Sequence, residues 1–398
     1  MSYRKLGDLV KFISNKNTDN RATILYGINI DKFFMPSVAN TIGVDLKKYK
    51  VVEKFQFACN RMHVGRDKRL PISMSTFDYP FIVSPAYDVF ELIDEVILPE
   101  YLMLWFKRAE FDRQCWFYTD ADVRGGLSLD ALKNIEIEVP SIKKQHEIVA
   151  QYQAVAKKIN VNEQICEKLE ATAQALYKHW FVDFEFPNEE GKPYKSSGGK
   201  MVFNEELEKE IPEGWEVKSF TEIVKLTGGG TPSTNVDEYW NGEICFFTPA
   251  DVSNSYYTIE TIKTITELGL KESSTRLYPK NTVFITARGT VGAISLAGCD
   301  MAMNQSCYAI KNDNPFYAHQ LSLNVIEKLK GEAVGAVFSA LVTKDFEQQS
   351  IINPIENLKN QFDEQVSYIY DFVLNKTLEN QKLVQLQTLL LSRLARGN

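Results

Sequence analysis

Histidine and cysteine are scarce, and those present do not cluster. The four histidines stand far apart, and the six cysteines (Cys59, Cys115, Cys166, Cys245, Cys299 and Cys307) contain no C-x-x-C pair. Ligand spacing for zinc or an iron–sulfur cluster is therefore missing, and no metal is expected. No run approaches the roughly 18 apolar residues of a membrane span, and the Met1 to Lys5 start leads into no apolar signal segment. A cytoplasmic protein with no membrane partner is the expectation. Excess positive charge is lacking too: the formal net charge is −7. Nucleic-acid binding would then rest on local basic patches. The remaining composition is that of a folded chain, with 398 residues and 44% hydrophobic content, enough for two or three cores.

Self-similarity is the strongest signal. An offset of 214 residues carries Pro140 onto Pro354, Leu127 onto Leu341, Leu132 onto Phe346, and Leu9 to Phe12 onto Ile223 to Leu226. Between these anchors the register drifts, pairing Arg61 with Arg288 and Tyr87 with Tyr308. After each proline comes a segment without Pro or Gly until the chain's last residues and rich in Gln, Glu, Lys and Leu. Apolar residues recur there at alternating steps of four and three, which predicts long helices with a coiled-coil seam. The first seam reads Ile148, Tyr152, Val155, Ile159, Asn162, Cys166, Leu169, Ala173, Leu176 and Trp180; the second reads Phe362, Val366, Ile369, Val373, Lys376, Asn380, Leu383, Gln387, Leu390 and Leu394. Polar interruptions at Asn162, Lys376 and Asn380 are of the kind that fixes register and partner.

The expected division is a first globular domain over 1–140, a central helix over 141–186, a linker over 187–211, a second globular domain over 212–354 and a distal helix over 355–398. The linker rests on a hydrophilic run with Gly191, Pro193 and Ser196 to Gly199. The fold class is α/β (α+β), with two β-rich domains separated by two long helices that form an antiparallel coiled coil. At 1.5 Å per residue each helix would span on the order of 60 Å, and antiparallel return would give a rod with a domain at each end and an approximate twofold axis. Duplex DNA has a matching dyad.

Candidate contacts follow from local chemistry. Asn60 to Arg69 is the most basic stretch, offering Asn60, Arg61, His63, Arg66, Lys68 and Arg69, and Arg124 precedes the first long helix. These suit phosphate positioning or groove reading; a solvated charged loop is the plainer alternative. In the second domain a strand-like run ends at Arg288, followed by Gly289, Thr290, Val291 and Gly292, where a planar guanidinium could meet a base edge. Thr231, Ser233 and Thr234 belong to a Gly-rich loop, Thr227 to Thr234, that lacks the Gly-Lys-Ser/Thr ending of a nucleotide-binding loop; Gln305 completes the set. Asn314-Pro315-Phe316-Tyr317 has one proline where an amino-methyltransferase motif needs two, so it reads as a helix start. No nucleophile, base or acid–base pair stands out, and no catalytic residue is assigned.

Together these stretches resemble the specificity subunits of type I restriction–modification systems, along essentially the whole chain. The resemblance is carried by KLEATAQALYKHWFVDF from Lys168 to Phe184, by Ile211 to Trp215, Gly230-Thr231-Pro232-Ser233, Tyr239-Trp240, Asp251 and Arg288 to Gly292. It implies a protein without catalysis of its own, in which each globular domain reads half of a bipartite double-stranded DNA target. It also implies that the helices bind two methyltransferase subunits, with Leu169, Leu176, Trp180, Phe181, Leu383 and Leu390 taken as partner-binding positions, and that restriction subunits join the full complex. S-adenosylmethionine would belong to the methyltransferase, leaving this chain without a cofactor. The first domain lacks the Gly-Thr-Pro-Ser and Tyr-Trp elements. A related restriction class, a coiled-coil protein scaffold and an unrecognised enzyme are the competing readings.

Overall fold

The computed structural model describes residues 2–38, 43–119, 125–332 and 340–394. The chain forms two units, residues 1–158 with 383–398 and residues 159–382. In the first unit an antiparallel ribbon of Ser2–Lys5 against Glu136–Val139 brings the ends of the domain together. A one-turn helix, Leu6–Leu9, follows the first ribbon strand, and helix Leu129–Asn134 precedes the second. The Ser128 hydroxyl caps that helix by accepting from the Ala131 amide at 3.1 Å. The main sheet places Asp88–Leu92 between Val10–Ile13 and Phe57–Cys59, with Ile72–Met74 at the edge. Phe57 and Phe90 face each other across it, stacked at 5.1 Å, and Phe106 from helix Pro99–Phe106 meets both edge-on.

The second unit repeats this frame. Its ribbon pairs Glu216–Ser219 with Ser350–Asn353, and helices Phe220–Ile223 and Thr343–Glu347 occupy the matching places. The first begins with a reciprocal cap between Ser219 and Glu222. Cys307–Ile310 lies between Leu226–Gly228 and Val283–Thr286, as Asp88–Leu92 does in the first unit, and Ile294–Ala297 and Tyr257–Thr258 extend the sheet. The second unit also has a three-stranded sheet, Thr264–Ile265, Trp240–Phe247 and Met301–Met303, where the first has two-stranded pairs, Tyr26–Ile28 with Phe34–Pro36 and Lys50–Val52 with Phe81–Val83.

The ribbon and helix starts hold the 214-residue offset, but the expected inner register is wrong by one residue. The Leu127 amide donates to the Arg61 carbonyl at 3.0 Å, whereas its counterpart Leu341 donates to the Ala287 carbonyl at 2.9 Å. Arg61 therefore occupies the place of Ala287, not of Arg288. Similarly Asp88, not Tyr87, matches Tyr308, because Phe12 pairs with Phe90 and Leu226 with Ile310. A one-residue step turns a strand side chain to the opposite face. Arg61 accordingly turns inward to the Asp88 carboxylate and the Leu127 carbonyl, while Arg288 is exposed.

The long helices run over Ile142–Tyr177, continued by a π turn at Lys178–Val182, and over Glu356–Arg393. In the second unit the Asn162 side-chain amide donates to the Asn380 oxygen at 2.8 Å, Cys166 meets the Val373 carbonyl at 4.0 Å, and the Tyr177 and Trp180 rings reach Phe362 at 6.0 and 5.8 Å. Rising numbers on one helix meet falling numbers on the other, so the pair is antiparallel. In the first unit Ile148, Val149 and Tyr152 share a core with Leu391 and Leu394. The seam positions at Asn162, Cys166, Ala173, Trp180, Phe362, Val366, Val373 and Leu394 are all buried.

The expected linker is folded instead. Phe186, Tyr194 and Trp215 form a stack, with centroids at 4.5 and 5.1 Å from Phe186, and Met201–Asn204 pairs with Lys209–Pro212 in a hairpin. Ile211 and Trp215 join the core of the second unit. Asn314 does precede a helix, Pro315–Glu332, whose first amides at Phe316 and Tyr317 donate to the Asp363 carboxylate at 3.1 and 2.6 Å.

Two stability predictions follow. Asn380→Ala should destabilise by about 1–3 kcal/mol because it leaves the buried Asn162 amide unpaired, whereas replacing both asparagines with leucine should be near neutral or stabilising. Urea denaturation of the three chains checks the asymmetry; equal loss in the single and double variants would contradict it. Arg61→Ala should cost about 1–3 kcal/mol through the stranded Asp88, while Arg288→Ala should stay within about 0.5 kcal/mol of wild type, as read by thermal unfolding.

Candidate nucleic-acid interface

In the second unit three loops converge where strands Leu226–Gly228 and Val283–Thr286 end and Cys307–Ile310 begins. The Gly230 amide donates to the Met303 carbonyl at 3.2 Å, and the Ala287 and Arg288 amides both reach the Ser306 carbonyl, at 2.7 and 3.3 Å. Only glycine fits at 229, since a Cβ there would lie 2.2 Å from the Asn304 carbonyl oxygen. The Thr231 hydroxyl donates to the Gln305 side-chain oxygen, and the Gln305 NH2 group has no hydrogen-bond partner among the described residues. Trp240 holds the first loop by donating from its indole to the Ser233 carbonyl at 3.0 Å.

The second loop is shaped by Gly289 and Gly292, at φ +79° and +71°, and by the Thr286 hydroxyl, which donates to the Thr290 carbonyl and accepts from the Ala293 amide. The exposed Arg288 guanidinium at its head has no hydrogen-bond or ion-pair partner among the described residues. Thr231, Thr234, Arg288, Thr290 and Gln305 are all exposed. A fixed backbone thus presents a fork of cationic donors, hydroxyls and a carboxamide, which is chemistry suited to base edges and phosphates. The Gly-rich loop does not cradle an anion with all its amides, because that of Gly230 is spent on Met303.

In the first unit the basic stretch is divided. Asn60 is a cap, accepting from the Met62 amide at 3.1 Å, and Arg61 is internal. Arg66 is exposed beside Asp67 at 2.7 Å, Arg69 pairs with Asp31 at 3.2 Å, and the Lys68 ammonium stands 5.1 Å from the Trp116 ring centre. Lys68 and Arg69 line a groove of about 460 Å³ together with Lys107 and Arg113. Its floor holds the buried Lys32–Asp112 pair at 2.7 Å, where burial lowers the lysine pKa against the pull of the aspartate. The His63 side chain and Arg124 lie outside the described residues.

Sequence reasoning missed the neighbouring exposed Trp116, Phe117 and Tyr118. Their signal was an aromatic run continuing past the last buried position of its helix, Cys115. The positions taken for partner contact lie on the inner faces of the long helices. Trp180 and Phe181 are 7% and 5% exposed and belong to the core of the second unit, and Leu169 and Leu176 pack against it; Leu383 and Leu390 are half-buried. Heptad spacing marks the internal seam, so those side chains are spent on folding. The exposed large apolar residues of the second long helix are instead Tyr368, Phe372, Leu378, Val384, Leu386 and Leu389.

The buried histidine and two buried carboxylates with shifted pKa values serve structure. His319 is pushed down to about 3 and hydrogen-bonds the Tyr370 hydroxyl at 2.9 Å. Asp363, raised to about 7, caps a helix, and Glu170, also raised to about 7, accepts from the Tyr256 amide at 3.0 Å. Among the described residues no cluster of His, Cys, Asp and Glu could hold a metal, and no helix is long and apolar enough to cross a membrane.

Comparison with known proteins agrees with this architecture. The chain is 24% identical to the type I restriction enzyme HindI specificity subunit of Haemophilus influenzae, over 98% of both chains. It is 31% identical to the MjaIX specificity subunit of Methanocaldococcus jannaschii over 44% of this chain and 42% of the other. A type I restriction-modification S subunit from M. genitalium has the same fold at a TM-score of 0.55 and 12% identity, covering 99% of this chain and 95% of that one. Residues 1–171 and 212–388 match the type I restriction modification DNA specificity domain, and the chain belongs to that family.

Proposed function

We propose that this chain recognises duplex DNA as the non-catalytic specificity subunit of a type I restriction–modification assembly, each unit reading one half of a bipartite target. The observation that carries the reading is the three-loop surface of the second unit. Arg288 stands there without a side-chain partner among the described residues, on a backbone fixed by Ser306, and Thr231 and Gln305 hold each other beside it. The backbone hydrogen bonds thus fix where an exposed arginine leaves the loop. The first unit supplies Arg66, Lys68 and Arg69 from the corresponding inner region. Their acidic neighbours offset much of the charge, so they suit positioning on phosphates more than sequence reading.

Two methyltransferase subunits would dock on the exposed side chains of the long helices and bring S-adenosylmethionine, with restriction subunits joining through them. The chain itself needs no cofactor on this reading. Its perturbed acids and its buried histidine are committed to caps and core hydrogen bonds, which supports the absence of catalysis here.

Arg288→Ala, assembled with the methyltransferase, should lose about 1–3 kcal/mol of discrimination at bases in one half of the target and none in the other. Competition binding against single-base variants of the site reads this. Uniform weakening on all DNA, with a shallower salt dependence, would make Arg288 a phosphate contact instead.

A further inference from the structure

The second sheet of the second unit brings together two cysteines far apart in sequence. Cys245 lies in strand Trp240–Phe247, in parallel register opposite Met301, and Cys299 sits two residues before Met301 in the bend leading into that strand. Cys299 therefore stands diagonally opposite Cys245, two residues along the neighbouring chain segment from its strand partner. Cys245 is half-buried and Cys299 exposed, so small solutes can reach the pair. Cys59, Cys115, Cys166 and Cys307 are all buried.

The surroundings divide the pair into two roles. Hydrogen bonds from the Cys299 thiol, and next from Thr261, hold Cys245 down to about 6 against burial and the nearby Glu260. Cys299 is pushed up by its bond to Cys245, by burial and by Asp300, and keeps its proton. By contrast, burial raises Cys166 to about 11 and Cys307 to about 12, and raises Cys59 and Cys115 further. A stabilised thiolate beside a protonated partner is the arrangement of an oxidisable dithiol, the thiolate attacking and the neighbour resolving.

We propose that Cys245 and Cys299 form a peroxide-oxidisable dithiol, with Cys245 as the attacking sulfur and Cys299 as the resolving one. The Cys245 thiolate attacks one oxygen of hydrogen peroxide, the O–O bond breaks, and the products are a sulfenic acid and hydroxide. The Cys299 sulfur then attacks the sulfenic sulfur, forming the disulfide, while its proton leaves with the hydroxyl as water. Two electrons pass from the thiols to peroxide. Closure tethers the bend at Cys299 to strand Trp240–Phe247. The strand Met301–Met303 connects that bend directly to Asn304, Gln305 and Ser306, so the tether sits one short strand from the loop that holds Thr231 and Arg288.

The test uses the full native chain and needs no DNA. After brief exposure to hydrogen peroxide, unreacted thiols are alkylated with iodoacetamide and mapped by mass spectrometry. Cys245 and Cys299 should be lost together, recovered as one linked peptide and restored by dithiothreitol, while the four buried cysteines stay reduced. In Cys299→Ala the reaction should stop at a sulfenic acid on Cys245, captured by a cyclic dione. Without peroxide, the alkylation rate of Cys245 should rise through a midpoint near pH 6 in the wild type and at higher pH in Cys299→Ala. If both thiols stay alkylatable after peroxide treatment, or if the wild-type midpoint falls in the ordinary thiol range, the proposal is overturned.

Discussion

Each unit depends on a short antiparallel ribbon that closes it. Ser2–Lys5 against Glu136–Val139, and Glu216–Ser219 against Ser350–Asn353, bring the two ends of a globular domain side by side. The chain leaves each ribbon almost at once into a long helix, at Ile142 and at Glu356. What lies between ribbon strands can then change in length and sequence without altering how the domain joins its helix. The three-stranded sheet inside the ribbon of the second unit, against the two-stranded pairs inside that of the first, is an instance. A recognition protein gains from this separation, because contact loops can diversify on a frame whose closure is already secured.

Legibility in the sequence follows the same division. The repeat was visible at the ribbons and helices because backbone pairing and seam burial constrain residue type there: Leu127 and Leu341 make the same hydrogen bond, and Asn162 meets Asn380 as the polar interruptions implied. Inside the ribbons nothing ties residue type to position so strictly. The alignment consequently slipped by one residue and gave Arg61 the exposure that belongs to Arg288. The supposed linker was hidden by composition, since three aromatics at 186, 194 and 215 build a small core inside a hydrophilic run. Heptad spacing finds a seam but cannot find a docking surface, because it marks the residues a helix has already buried.

Charge makes a related point. The chain is acidic overall, and most of its arginines and lysines near the first unit's basic stretch face a carboxylate: Arg61 with Asp88, Arg66 with Asp67, Arg69 with Asp31, Lys32 with Asp112. Counting basic residues therefore overstates the net positive charge of that stretch. Arg288 is different in kind, exposed and without an ion-pair partner among the described residues, and the loops around it are fixed by backbone hydrogen bonds. Pre-set geometry of this sort favours sequence reading over simple attraction to phosphate.

The central claim is that this chain dictates where a partner methyltransferase acts. The direct measurement is to co-express it with a type I methyltransferase subunit and to map methylated adenines across a test genome by single-molecule sequencing. The account predicts one asymmetric motif in two parts with a fixed gap. If no new methylation arises, while the same methyltransferase is active with another specificity subunit, the account is contradicted.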